Sequence, residues 1–158
     1  FTLLASQPTL RLSMLERMIQ IRQRQRDLPA MIDLIDLCLK EQPNNPGYVE
    51  AWCYLKLLEG SEMEKAADTI RRLVEADPGR VPTAALVQAF AAYRFGDLET
   101  AGREANSVVA SKLPPGQRAV LAGILQACGR DAAALRMAEK VPESIVLPEE
   151  DHFLKTAL

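Results

Sequence analysis

The sequence predicts an all-α protein built from antiparallel helix pairs stacked in series, and three observations predict it. Proline- and glycine-bearing breaks recur, with Pro43 and Pro78 standing 35 positions apart. A small-residue position recurs inside the pairs: Met31, Ala66, Ala101 and Ala134 follow one another at intervals of 35, 35 and 33 residues. The segments between breaks carry apolar residues at spacings of three, four and seven, the period of a helix with one apolar side.

The first pair is expected over 9–25 and 29–42. Leu10, Met14, Leu15, Met18 and Ile21 define the packing side of its first helix, and Ile32, Ile35 and Leu39 that of its second. Arg26-Asp27-Leu28-Pro29 supplies the turn between them, and Glu41 to Gly47, with Pro43, Asn44, Asn45 and Pro46, supplies the exit. Proline lacks a backbone donor and fixes φ, while asparagine and glycine tolerate sharp turns.

The second pair is expected over 46–59 and 63–76, joined at Glu59-Gly60-Ser61-Glu62 and closed by Asp77-Pro78-Gly79. The third runs over 82–95 and 98–111 around Phe95-Gly96-Asp97-Leu98. The fourth runs over 115–128 and 131–141 around Cys128-Gly129-Arg130-Asp131, and a further helix starts near Pro148. Alanine at three of the four recurring small positions lets two helices approach closely.

This spacing and punctuation resemble the tetratricopeptide repeat family, whose unit is a helix, a turn and a helix with a period of about 34 residues. The clearest local match is Gly96-Asp97-Leu98-Glu99-Thr100-Ala101, similar to the family's inter-helix turn and the small residue opening the second helix. Trp52 and Leu55 match large packing residues of its first helix, and Cys53, Ala89 and Ala122 fall at its small positions. The first pair departs from the pattern with Ile19, Met31 and Arg26, and the fourth lacks the exit proline. The resemblance covers about four degenerate units and implies a tetratricopeptide-like α/α superhelical solenoid, with another type of helical solenoid as the alternative. Residues 1–158 are expected to form one repeat domain, a fragment of a longer array, because Phe153, Leu154, Ala157 and Leu158 carry an apolar face to the end of the last helix.

The resemblance also implies a function. Stacked pairs present the first helices on a concave surface that holds protein or peptide partners. By alignment, Glu50, Tyr54 and Leu57 of the second unit and Leu86, Phe90, Tyr93 and Arg94 of the third line that groove, with Gln20 and Gln23 extending it at one end. Tyr93 and Arg94 combine ring area with a charged fork and are the expected recognition pair. The Lys and Asn pattern of the family's chaperone-tail clamps is absent at the aligned positions Glu16, Gln20, Glu50, Tyr54, Leu86 and Phe90.

Other functions find little support. Nineteen basic and 21 acidic residues give a formal charge of -2, so nucleic-acid binding is not expected. Arg17, Arg22, Arg24 and Arg26 read first as a solvated surface, second as a protein contact and third as a lipid or nucleic-acid patch. Membrane insertion is not expected, since no apolar run reaches the roughly 20 residues needed. Cys38, Cys53 and Cys128 are scattered and read as packing thiols, and the lone His152 lies in an acidic first turn without separated ligands. No cofactor or metal is expected. The leading expectation is a non-catalytic scaffold or adaptor of the cytoplasm that binds a protein or peptide, with a homo-oligomer through array ends as a further partner mode; a structural or self-associating repeat spacer within a larger protein follows, and an enzyme or enzyme accessory domain ranks last.

Overall fold

The computed structural model describes residues 7–79 and 83–158. Among them are nine α-helices: α1 Pro8–Arg24, α2 Leu28–Glu41, α3 Pro46–Glu59, α4 Met63–Ala76, α5 Ala84–Arg94, α6 Leu98–Ala105, α7 Pro115–Ala127, α8 Asp131–Ala138 and α9 Pro148–Ala157. Four antiparallel hairpins, α1/α2, α3/α4, α5/α6 and α7/α8, stack in chain order, each second helix packing on the next first helix. The molecule is thus an all-α stack of helix hairpins, a helical solenoid in its general plan.

Local chemistry sets the boundaries. Asp27, Asn45 and Asp97 cap α2, α3 and α6, their side-chain oxygens accepting from the amides of Ala30, of Gly47 and Tyr48, and of Thr100. Pro46, Pro115 and Pro148 occupy first-turn positions, where a missing donor costs nothing. Gly60, Gly96 and Gly129 end the first helices of the later pairs with φ between 76° and 82°. In the first pair Arg26 takes that left-handed place at φ 59°, a conformation that crowds any side chain.

The recurring small positions are the sealed contacts between helices. Ala66, Ala101 and Ala134 are fully buried, as are Cys53, Ala89 and Ala122 on the first helices. Larger groups such as Leu57, Ile70, Leu86, Phe90, Leu121 and Ile124 fill the space around them.

Several sequence expectations are corrected. The second helix of the third pair stops at Ala105, not 111: the chain tightens at Asn106 and Ser107, and Val108 and Val109, poor helix formers, lead into a 3-10 turn over Ala110–Lys112. That of the fourth stops at Ala138, not 141, since Pro142 disfavours helical geometry at Val141. Position 82, the expected start of α5, lies outside the described residues. On α1 the packing side is Leu12, Leu15 and Ile19, whereas Leu10, Met14, Met18 and Ile21 are on the opposite, exposed side. The last helix does not leave its apolar face open: Phe153, Leu154 and Ala157 are buried within the chain, and only Leu158 is exposed.

Candidate functional site

The inner face of the stack is formed by the first helices, with α3 against α5 and α5 against α7. α9 returns onto this face, packing chiefly along α7 and also reaching α8 and α3. Two glycines of α7, Gly116 in its first turn and Gly123 in its interior, admit it. A Cβ at Gly123 would come within 2.7 Å of the Phe153 ring and 3.2 Å of its Cα, and one at Gly116 would overlap the Glu150 carboxyl group.

Phe153 is the apolar anchor of this contact. Its ring meets Phe90 edge-on at 5.4 Å and Tyr93 at 5.7 Å, and Phe90 in turn lies 5.9 Å from Tyr54. The Arg94 guanidinium stacks over Phe90 and Phe153 at 5.1 and 5.6 Å while donating to the carbonyls of Leu57 (2.9 Å) and Leu58 (3.1 Å). A cation at the last carbonyls of α3 satisfies acceptors that the helix leaves open and complements its dipole. Burial pulls the Arg94 pKa down.

Glu150 is the polar anchor. Its Oε1 accepts from the Tyr54 hydroxyl at 2.7 Å, and its Oε2 accepts from the Leu147 amide at 2.8 Å, closing the first turn of α9. Burial raises its pKa despite these two donors, and the same burial, with Glu150 beside it, raises that of Tyr54 well above the usual phenol range. Glu50 is the other buried acid. It accepts from the Thr83 hydroxyl, and burial pushes its pKa up to about 7.

α9 covers only part of the inner face. Beside it a chamber of about 180 Å³, half open to solvent, lies between α1, α2, α3, α7 and the start of α9, walled by Ile19, Met31, Ile35, Ala51, Leu55 and Leu147 with Gln23, Tyr54, Gln117 and Glu150. A vestibule of about 460 Å³ adjoins it, bounded by Gln20, Gln23, Arg24, Pro115, Gly116, Ser144 and Ile145. Helices from the first and fourth pairs line the same space, so the row of first helices curves around it.

No family model, no curated protein and no solved structure matches this chain.

Of the residues singled out from the sequence, Gln20 and Gln23 are exposed on the vestibule and Tyr54 stands in the chamber wall. Leu57, Leu86 and Phe90 are fully buried, and Glu50 is buried under Thr83. Tyr93 and Arg94 do come together with Phe90, but around Phe153 of the same chain. Sequence reasoning missed Gln117, Glu150 and Phe153. A signal for the last two was available: Gly123 stands in a helix interior, where glycine is costly, and Gly116 lies seven residues before it on the same side, which marks a close approach.

The three thiols lie in different surroundings. Cys38 and Cys53 are buried, Cys53 with a pKa pushed up to about 12, and the Cys128 thiol contacts the Leu98 carbonyl at 3.4 Å. Among the described residues no group of three or more His, Cys, Asp or Glu could hold a metal ion, and no helix is long and apolar enough to cross a membrane.

Proposed function

We propose that this chain is a tetratricopeptide-like, non-catalytic scaffold that binds a protein or peptide on the inner face of its first helices. The observation that carries this reading is the cleft beside α9, where a curved row of helices leaves an apolar chamber with a polar mouth. Such a surface suits recognition because the helices that frame it are fixed by their neighbours, so little order is lost on binding. The inner face is also chemically suited to a helix or chain segment: α9 anchors there through one aromatic ring and one carboxylate.

The test is site-specific photo-crosslinking. A benzophenone amino acid replaces Gln20 or Gln23 at the mouth, and Arg72, exposed on α4, serves as the outer control. Discrete, saturable adducts from the inner positions are expected. Adducts from Arg72 alone would overturn the reading.

A second reading, self-association or continuation of an array, is favoured by the exposed row Leu10, Met14, Met18 and Ile21 on α1. Offset by the 35-residue repeat, Met14 and Met18 correspond to Val49 and Cys53, which pack within the main core; Val49 also faces α2 across a shared groove with Leu39. Sedimentation at several concentrations checks it: reversible association abolished by Met14→Glu supports contact through α1, and a monomer at every concentration counts against self-association.

A further inference from the structure

A hollow of about 420 Å³ opens between the start of α7, the end of α8 and the 3-10 turn that precedes α7. Arg118 enters it from α7, Arg136 from α8, Lys140 from just beyond α8 and Ser111 from the turn, with Ala133 and Met137 as its apolar wall. It shares no lining residue with the chamber or the vestibule of the inner face.

Three cations and no acid line this hollow. Elsewhere cations such as Arg71, Arg103 and Lys155 stand beside Asp68, Glu104 and Asp151. Among the described residues Arg118, Arg136 and Lys140 form no such pair. The hollow that holds Arg26 and Lys155 balances them with Glu143 and Asp151, whereas here Glu139, next to Lys140 in sequence, does not reach the wall.

Helix electrostatics accounts for only part of this arrangement. A cation suits the end of α8, so Arg136 and Lys140 are each well placed, yet as like charges four positions apart they repel one another. Arg118 stands at the start of α7, the end of a helix that favours anions. Its Nε is shielded from solvent without a hydrogen-bond partner, so the edge left to meet a ligand is the outer pair of Nη atoms. A positive helix end and three cations without a counter-charge attract an anion.

Charge and size narrow its identity. A carboxylate leaves two of the three positive charges unmatched, whereas a phosphate monoester carries about -1.5 to -2 at neutral pH and three acceptor oxygens. Two guanidinium forks, an ammonium and a hydroxyl can donate to all three. The volume falls in the roughly 300–1,000 Å³ range of small-molecule sites, so a bare phosphate leaves most of it empty.

We propose that this hollow binds a small phosphate monoester, its phosphoryl group held by Arg118, Arg136, Lys140 and Ser111 and its carbon skeleton lying on Ala133 and Met137. The site stands whether or not a partner occupies the inner face.

Phenyl phosphate is the probe, titrated into the full chain by calorimetry at fixed ionic strength beside benzoate. Saturable binding at one site is expected, about tenfold tighter than that of benzoate because of the added charge. Arg118→Gln and Arg136→Gln are each expected to weaken it about tenfold, the effect of losing a charge-assisted hydrogen bond. Lys40→Gln, which removes an exposed cation of α2, should leave it unchanged. Arg136 is exposed, so its replacement leaves the core untouched, and circular dichroism checks the fold of every variant. No saturable binding, equal affinity for benzoate, unchanged affinity in folded Arg136→Gln, or equal weakening by Lys40→Gln overturns the site. A phosphoserine peptide that binds about tenfold tighter than phenyl phosphate, and loses this in Arg136→Gln, overturns the small molecule as the occupant.

Discussion

The hydroxyl of Tyr54 on α3 donates a 2.7 Å hydrogen bond to Glu150 on α9, joining two helices 96 residues apart in the chain. Both groups are buried, so neither can turn to water when the other is removed. Tyr54→Phe is expected to lower stability by about 1–3 kcal/mol, the usual cost of leaving a buried polar group unpaired. Urea unfolding of Tyr54→Phe, Glu150→Gln and the double variant checks it, with the double variant costing less than the sum because the two act as one unit. Simple additivity would mean that the bond contributes nothing.

Stability is expected to fall as pH rises from about 4.5 toward 7. Glu50, at about 7, and Glu150, also raised, both hold their protons in the folded chain beyond the point where the unfolded chain ionises. Their contribution is complete below the unfolded value of 4.5 and is lost as pH climbs through the folded values. Urea midpoints measured across this window should decline in the native chain and decline less steeply in Glu50→Gln. The exposed Asp97 and Glu62, whose pKa values are lowered, act in the opposite sense below the window.

Arg94→Ala is expected to cost about 2–3 kcal/mol, since it removes two charge-assisted bonds to the end of α3 and the cation stacked on Phe90 and Phe153. Arg94→Lys should recover only part of this, because an ammonium lacks the planar fork that spans two carbonyls. Thermal unfolding of both variants reads the difference. Equal stability of all three proteins would make Arg94 a surface group.

Gly123→Ala is expected to loosen α9 selectively. A methyl group there meets both the ring and the backbone of Phe153, and overpacking of this kind costs about 1–3 kcal/mol. Hydrogen exchange should accelerate along Pro148–Ala157 more than along α3/α4, which α9 touches only lightly.

Arg26→Gly is expected to stabilise the chain by about 0.5–1 kcal/mol. Relief of a left-handed non-glycine residue outweighs the greater entropy of an unfolded glycine by roughly this amount. A raised melting temperature with unchanged helicity is the supporting result, and a lower one would show that the Arg26 side chain contributes more than its backbone costs.

Helix starts and stops were written locally. Pro46, Pro115 and Pro148 at first-turn positions, Gly60, Gly96 and Gly129 after first helices, and the alanines at 66, 101 and 134 all act through a few neighbouring residues, so their spacing alone placed the hairpins. Tertiary structure decided what no local rule contains. Leu10 and Leu12 differ by two positions, yet only docking against α2 settled that Leu12 turns inward. Arg94 could have faced a partner, and it is the approach of α3, 36 and 37 residues earlier, that binds it to two carbonyls. Phe153 could have capped an outer end, and it is Gly123 that opens α7 to it, as Gly116 does to Glu150, bringing α9 onto the inner face. Periodicity specifies that a helix has an apolar side; which neighbour covers that side is a property of the packed chain, set by shape and by burial across long separations.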